Sequence, residues 1–337
     1  MTVVSRFTNL LKFINATMFF ILWLIITWIA VSVNEYLIPS FFNKILYPYC
    51  KILFLHVVTG TFYLLSMKKF YVCVDKHLYN TKKLIILSNH LSEFDFVFVC
   101  RVLFEMNLVN DLIFIMKKSL CNLPFFGDIC TIFGFIGITR GSETATTELH
   151  EGLLKIKRQD QYTVVLFPEG TIWTLPIYNR TLEFCKSNNI TPNTWCLIPR
   201  PKGATMIFNE LVDKNTKIAN VALMFNPFAV NISPMLKKFE YLVFRSDEIN
   251  INFVITDSTQ TMHKNNYLQE SFRNTDKILK AMHKTHIINS KDEFIKMLES
   301  CESYDPNIHD IYELSNVTWV NCILIVIYIF GIYKLLF

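Results

Sequence analysis

The chain has 337 residues, of which 52% are hydrophobic and 15% aromatic, including 30 phenylalanines. Charged residues make up 18%, below the roughly 25% usual for soluble domains, which points to contact with lipid as well as to a protein core. A formal net charge of +5 suits an anionic bilayer surface and phosphate-bearing ligands; with no long Lys/Arg run, Cys/His finger spacing or basic heptad helix, it excludes a nucleic-acid binder.

The first apolar segment runs from about Leu10 to Val33 and carries no charge after Lys12. It is long enough to cross a bilayer. With Trp23, Trp28 and no small-x-small cleavage pattern, it reads as a retained anchor rather than a signal peptide. A second apolar region, Leu37 to Met67, is interrupted by Pro39, Lys44, Pro48, Lys51 and His56. It reads as a re-entrant helix or the second arm of a helical hairpin, with Lys68 and Lys69 as interfacial charges. Val317 to Phe337, almost uncharged, reads as a C-terminal membrane helix, with a helix lying in the interface as the alternative.

Between these segments the element types alternate. Leu84 to Leu87 is a buried strand leading straight into Ser88-Asn89-His90, and Phe94 to Phe104 is helical. Leu112 to Met116 and Phe135 to Thr139 are short strands, and Ser142 to Arg158 has helical spacing. Thr163 to Phe167 is a strand ending in Pro168-Glu169-Gly170-Thr171, and Trp195 to Ile198 is another ending at Pro199. Ala219 to Phe225 follows, with Val243 to Arg245 and Ile251 to Thr256 as late edge strands and a charged helical pair from Asn266 to Ser300. The expected fold is therefore α/β: a central mixed sheet covered by helices, with an N-terminal membrane helical hairpin and a C-terminal membrane helix. The divisions fall at 1–72 for the anchoring helices, 73–262 for the α/β domain, 263–315 for a peripheral helical segment and 316–337 for the last helix. Nine scattered cysteines without a CxxC pair point to a reducing, cytosol-facing domain.

Functional residues of open α/β folds gather where strands end, and four such places interrupt the apolar pattern. In the first, Asn89 and His90 precede Asp95. Acyl transfer to a hydroxyl needs a base, and a neutral histidine backed by a carboxylate that fixes its tautomer suits that task. Five residues apart, the pair would be about 140° apart on one regular helix, so His90 must sit on the turn before the helix and Asp95 within it. Arg140, at the end of the second place, suits bidentate phosphate binding. In the third, Pro168 and Gly170 hold Glu169 on a rigid turn, where it can accept a hydroxyl hydrogen bond or brace Arg140. The fourth, Pro199-Arg200 with Lys202 and Gly203, offers a basic contact at a helix start. Each place has a plainer alternative: a satisfied turn residue, a solvated charge, an exposed acid or a surface basic loop. No GxSxG, HExxH, GxGxxG or P-loop is present, which leaves a serine hydrolase, metallohydrolase, dehydrogenase or kinase unsupported.

Together the four places resemble the motifs of the glycerophospholipid acyltransferase family. They are Asn89-His90-Leu91-Ser92-Glu93-Phe94-Asp95, then Gly134 to Arg140, then Phe167-Pro168-Glu169-Gly170-Thr171, then Leu197-Ile198-Pro199-Arg200. The Pro-Arg pair in the last is similar to the eukaryotic branch that includes lysocardiolipin and lysophosphatidylinositol acyltransferases. The resemblance implies an acyl-CoA donor as co-substrate, a lysophospholipid acceptor, no metal or other cofactor, and direct transfer without a covalent enzyme intermediate. His90 would be the base and Asp95 its orienting partner. Arg140, Glu169 and Gly170 would hold the glycerol phosphate and Pro199 and Arg200 would shape the pocket, with Asn89 and Thr171 in the same substrate-binding set. The implied reaction is acylation of the free hydroxyl of 1-acyl-sn-glycerol-3-phosphate; the alternatives are remodelling of lysophosphatidylinositol or lysocardiolipin, or an inactive scaffold of the same fold. The implied setting is an integral membrane protein of the endoplasmic reticulum with its catalytic domain in the cytosol.

Overall fold

A computed structural model describes residues 69–107, 112–123, 126–226, 249–262, 266–285, 288–302 and 304–314, with helical positions scattered between 6 and 29 and at 244. Eight strands make one sheet: β1 (Lys69–Asp75), β2 (Lys83–Ser88), β3 (Leu112–Lys117), β4 (Ile136–Ile138), β5 (Tyr162–Leu166), β6 (Thr216–Asn226), β7 (Asn250–Asp257) and β8 (His309–Glu313). Their spatial order is β4-β3-β5-β2-β6-β7-β1-β8. The first five in that order are parallel, β7 is antiparallel to β6, β1 is parallel to β7, and β8 closes the edge antiparallel to β1.

Side-chain alternation divides the core between the two faces of this sheet. Leu84 and Ile86 of β2, with Phe114 and Val165, face α1 (Asp95–Glu105) and, beyond α2 (Lys118–Cys121), α3 (Phe126–Phe133). Ile85 and Leu87, with Val164 and Ile218, face α4 (Thr144–Lys157) and, beyond α5 (Leu175–Ser187), α6 (Pro201–Leu211), α7 (Tyr267–Lys284) and α8 (Lys291–Ser300). Burial on both faces explains why the central strands are continuous apolar runs. Local chemistry sets the helix ends. Ser290 caps α8 by accepting the Glu293 N–H, while the Glu293 side chain takes that of Asn289.

Three expectations are corrected. Among the described residues no helix is long and apolar enough to cross a membrane, so the described architecture is a mixed sheet surrounded by helices, and the expected membrane hairpin and terminal membrane helix are no part of it. The integral-membrane, endoplasmic-reticulum placement rested on those helices and finds no support among the described residues. Segments 37–67 and 317–337 lie wholly outside the described residues, and Leu10 to Val33 is described only at scattered positions. The apolar residues of the central strands are taken up by the sheet, which is buried on both sides.

Trp195 to Ile198 is the second correction, because it joins no strand ladder. Its N–H groups are taken by carboxylates instead: Asp276 Oδ1 accepts from Thr194, Trp195 and Cys196, and Glu169 from Leu197. The third concerns β7, which is an inner strand between β6 and β1 rather than an edge. Its inner position depends on β1, which lies hidden at the end of the long apolar stretch. Lys69, expected at an interface, pairs with Glu313 of β8.

Candidate active site

Where β2 ends, its pairing with β6 continues through a side chain. Asn89 Nδ2 donates to the Leu223 carbonyl at 3.0 Å, and Asn89 Oδ1 accepts the Leu223 N–H at 2.8 Å. An asparagine carries one donor and one acceptor at its tip, so this fully buried side chain acts as a substitute peptide group. It anchors the start of the turn that carries His90.

That turn is organised by one carboxylate oxygen. Asp95 Oδ2 accepts from His90 Nδ1 at 2.9 Å, from Leu91 N at 2.7 Å and from Ser92 N at 3.0 Å. Asp95 is the first residue of α1 and folds back over the residues before it. His90 lies outside the helix, so the 140° separation never applies. Ser92 Oγ accepts from Phe94 N at 3.0 Å, one turn ahead of the helix. With Nδ1 donating to a buried carboxylate, Nε2 is left as the nitrogen carrying the lone pair. The imidazole is 17% exposed. The Phe167 ring stacks on it, with centroids 4.4 Å apart and planes inclined by 27°.

The turn after β5 interlocks with two others. Gly170 N donates to Phe167 O at 3.0 Å, Arg200 N to Pro168 O at 2.8 Å, and Trp173 N to His90 O at 2.8 Å. Gly170 sits at φ +69°, and a Cβ there would lie 3.3 Å from Arg200 Cδ. Glycine therefore meets a backbone demand and gives the arginine room to lie across the turn. Glu169 is 1% exposed and bonds to His90 N at 2.9 Å and Leu197 N at 3.0 Å. Its burial pushes the carboxyl well above the usual carboxylate range, against the opposing pull of the two N–H donors.

These elements surround a cleft of about 780 Å³. Its lining includes the polar or small residues His90, Arg140, Gly170, Thr171, Arg200 and Lys202 and the apolar residues Phe96, Phe114, Met116, Leu120, Leu123 and Phe126. Asn89, Asp95, Glu169 and Pro199 are buried behind the wall. Desolvation, and then the Arg200 charge, hold the Arg140 guanidinium below its ordinary value, which for arginine still leaves it charged. Two cations lining one cleft, close enough to repel, favour an anion near both. Among the described residues no group of three or more His, Cys, Asp or Glu side chains is placed to hold a metal ion.

Phe167 and the apolar wall received no role from the sequence, although Phe167 stands inside the third motif. Its meaning comes from the stacking on His90, across a gap in sequence that periodicity does not bridge. Glu93 also lines the cleft, and its position one residue after the Ser92 turn gave no sign of that.

A histidine–carboxylate pair on a largely apolar cleft, with guanidinium groups beside it, can take a proton from a hydroxyl held next to a bound anion. Residues 69–224 match the family model described as Acyltransferase. Over 130 residues the chain is 28% identical to a probable 1-acyl-sn-glycerol-3-phosphate acyltransferase 5 of Arabidopsis thaliana, covering 38% of this chain and 35% of that protein. It is 29% identical over 128 residues to lysocardiolipin acyltransferase 1 of Danio rerio, covering 38% and 33%. The match to lysophosphatidylinositol acyltransferase 10 of Caenorhabditis elegans is 25% over 130 residues, covering 38% and 33%. The aligned parts are thus about a third of the length of these curated relatives. In fold, the chain is similar to the crystal structure of the 1-acyl-sn-glycerophosphate acyltransferase PlsC of Thermotoga maritima, with a TM-score of 0.52, 12% identity, and coverage of 83% of this chain and 98% of that one.

Proposed function

We propose that this protein transfers a fatty acyl group from acyl-CoA to the free hydroxyl of a lysophospholipid, with 1-acyl-sn-glycerol-3-phosphate as the acceptor. The observation that carries the reading is the Asp95–His90 pair at 2.9 Å, which leaves Nε2 for the cleft that His90 lines. In the reaction, His90 Nε2 takes the proton of the acceptor hydroxyl as its oxygen attacks the thioester carbonyl. Asp95 holds the ring and stabilises the imidazolium that forms. Collapse of the tetrahedral intermediate breaks the C–S bond, and His90 returns the proton to the departing thiolate. Arg140 and Arg200 hold the acceptor phosphate, Gly170 and Thr171 form the floor beside it, and the phenylalanine-lined side accommodates acyl chain. Pro199 and Asn89 support the site from behind.

Two relatives named for other acceptors, lysocardiolipin and lysophosphatidylinositol, favour a second reading in which the acceptor carries a larger headgroup. Both readings share the phosphate and the hydroxyl. The experiment is acyl transfer by the purified full chain with a panel of lysophospholipids and one acyl-CoA. Turnover at least tenfold faster with lysophosphatidate supports the first reading, and preference for lysophosphatidylinositol or lysocardiolipin replaces it with the second. Lipid binding without consumption of acyl-CoA would leave a scaffold in place of an enzyme.

A further inference from the structure

The resemblance gave Glu169 to the substrate, yet both of its oxygens are engaged by backbone. Oε1 takes the His90 N–H and Oε2 the Leu197 N–H, and the side chain stands behind the cleft wall. The geometry points to Glu169 as a positioning residue: a buried brace that ties the turn carrying the base to the segment carrying Arg200, and not a contact for the acceptor. The inference rests on the reading of His90 as base and Arg200 as phosphate contact.

Two backbone bonds beside the brace show what it joins. The turn around Glu169 accepts Arg200 N at Pro168 O and reaches the other side through Trp173 N to His90 O. Leu197 lies three residues before Arg200, which in turn precedes α6. One carboxylate therefore sets the separation between the proton acceptor and the phosphate contact, a distance the reaction must hold closely. The residue type follows. Two N–H donors need two acceptors, and glutamine supplies one acceptor while turning an NH₂ towards the other N–H.

Glu169→Gln is measured in the full chain by steady-state kinetics and by amide exchange without ligand. A brace predicts a kcat about 10- to 100-fold lower, a smaller change in acceptor KM, and faster exchange at His90 and Leu197 before any ligand is added. Raised acceptor KM with unchanged kcat and unchanged exchange would make Glu169 a ligand contact and overturn the proposal. Folded variant with wild-type kcat and merely a lower Tm would overturn it as well. Should the variant not fold, the wild-type protein decides. Two amides held by one carboxylate open together, so their protection factors agree within about tenfold, and a larger difference refutes the brace. The exchange measurement stands even if wild-type protein transfers no acyl group, which would refute the function and not the brace.

Discussion

Replacing Asp95 in two ways separates its charge from its hydrogen bonds. Its Oδ2 serves three donors: the His90 ring, Leu91 N and Ser92 N. Asparagine can place its carbonyl oxygen where Oδ2 stands and keep all three, while Oδ1 has no partner to lose. Asp95→Asn should therefore cost about 1 kcal/mol of stability or less. Asp95→Ala strands Leu91 N and Ser92 N in a buried turn. At about 1–3 kcal/mol for each orphaned donor, that amounts to about 2–6 kcal/mol. Both variants remove the negative charge that stabilises the imidazolium, so both should lower kcat by about 10²–10⁴-fold. Urea unfolding and single-turnover acyl transfer measure the two effects separately. Near-wild-type transfer by Asp95→Asn, or equal destabilisation by both variants, would refute the reasoning.

Removing either cation, as Arg140→Ala or Arg200→Ala, should raise the KM for a lysophospholipid acceptor about 10- to 100-fold, the worth of one charged hydrogen bond to phosphate. Monoacylglycerol, which lacks the phosphate, should be used equally well by variant and wild type in the same assay. Asn89→Leu leaves both backbone groups of Leu223 without their partner, and should lower the unfolding free energy measured in urea by about 2–6 kcal/mol. Gly170→Ala combines positive φ with a 3.3 Å approach to Arg200 Cδ. It should cost about 1–2 kcal/mol of stability and show a raised acceptor KM as the arginine is displaced.

The parts of the fold legible in the sequence are those whose causes are local. Leu84 to Leu87 forms a strand because its residues alternate between two apolar cores, and the His90–Asp95 turn is set by bonds within six residues. Trp195 to Ile198 looked identical to a buried strand, but its donors are satisfied by Asp276 and Glu169, residues far along the chain. β1 was not singled out, and the division between 72 and 73 falls inside it, because Phe70 to Val74 follows directly on the apolar stretch and its interfacial lysines. The apolar segments 37–67 and 317–337 lie outside the described residues, and no described helix is long and apolar enough to cross a membrane. At the site, the motifs identified the residues but not their directions. Sequence places Glu169 next to Gly170 on one turn, whereas the structure turns one behind the cleft and the other into its wall.

The most direct measurement is the single-turnover rate of acyl transfer from acyl-CoA to lysophosphatidate by wild type and by His90→Ala, each confirmed as folded. Loss of the base should slow the chemical step by about 10²–10⁴-fold while acceptor binding is retained. Equal rates in the two proteins would contradict the account.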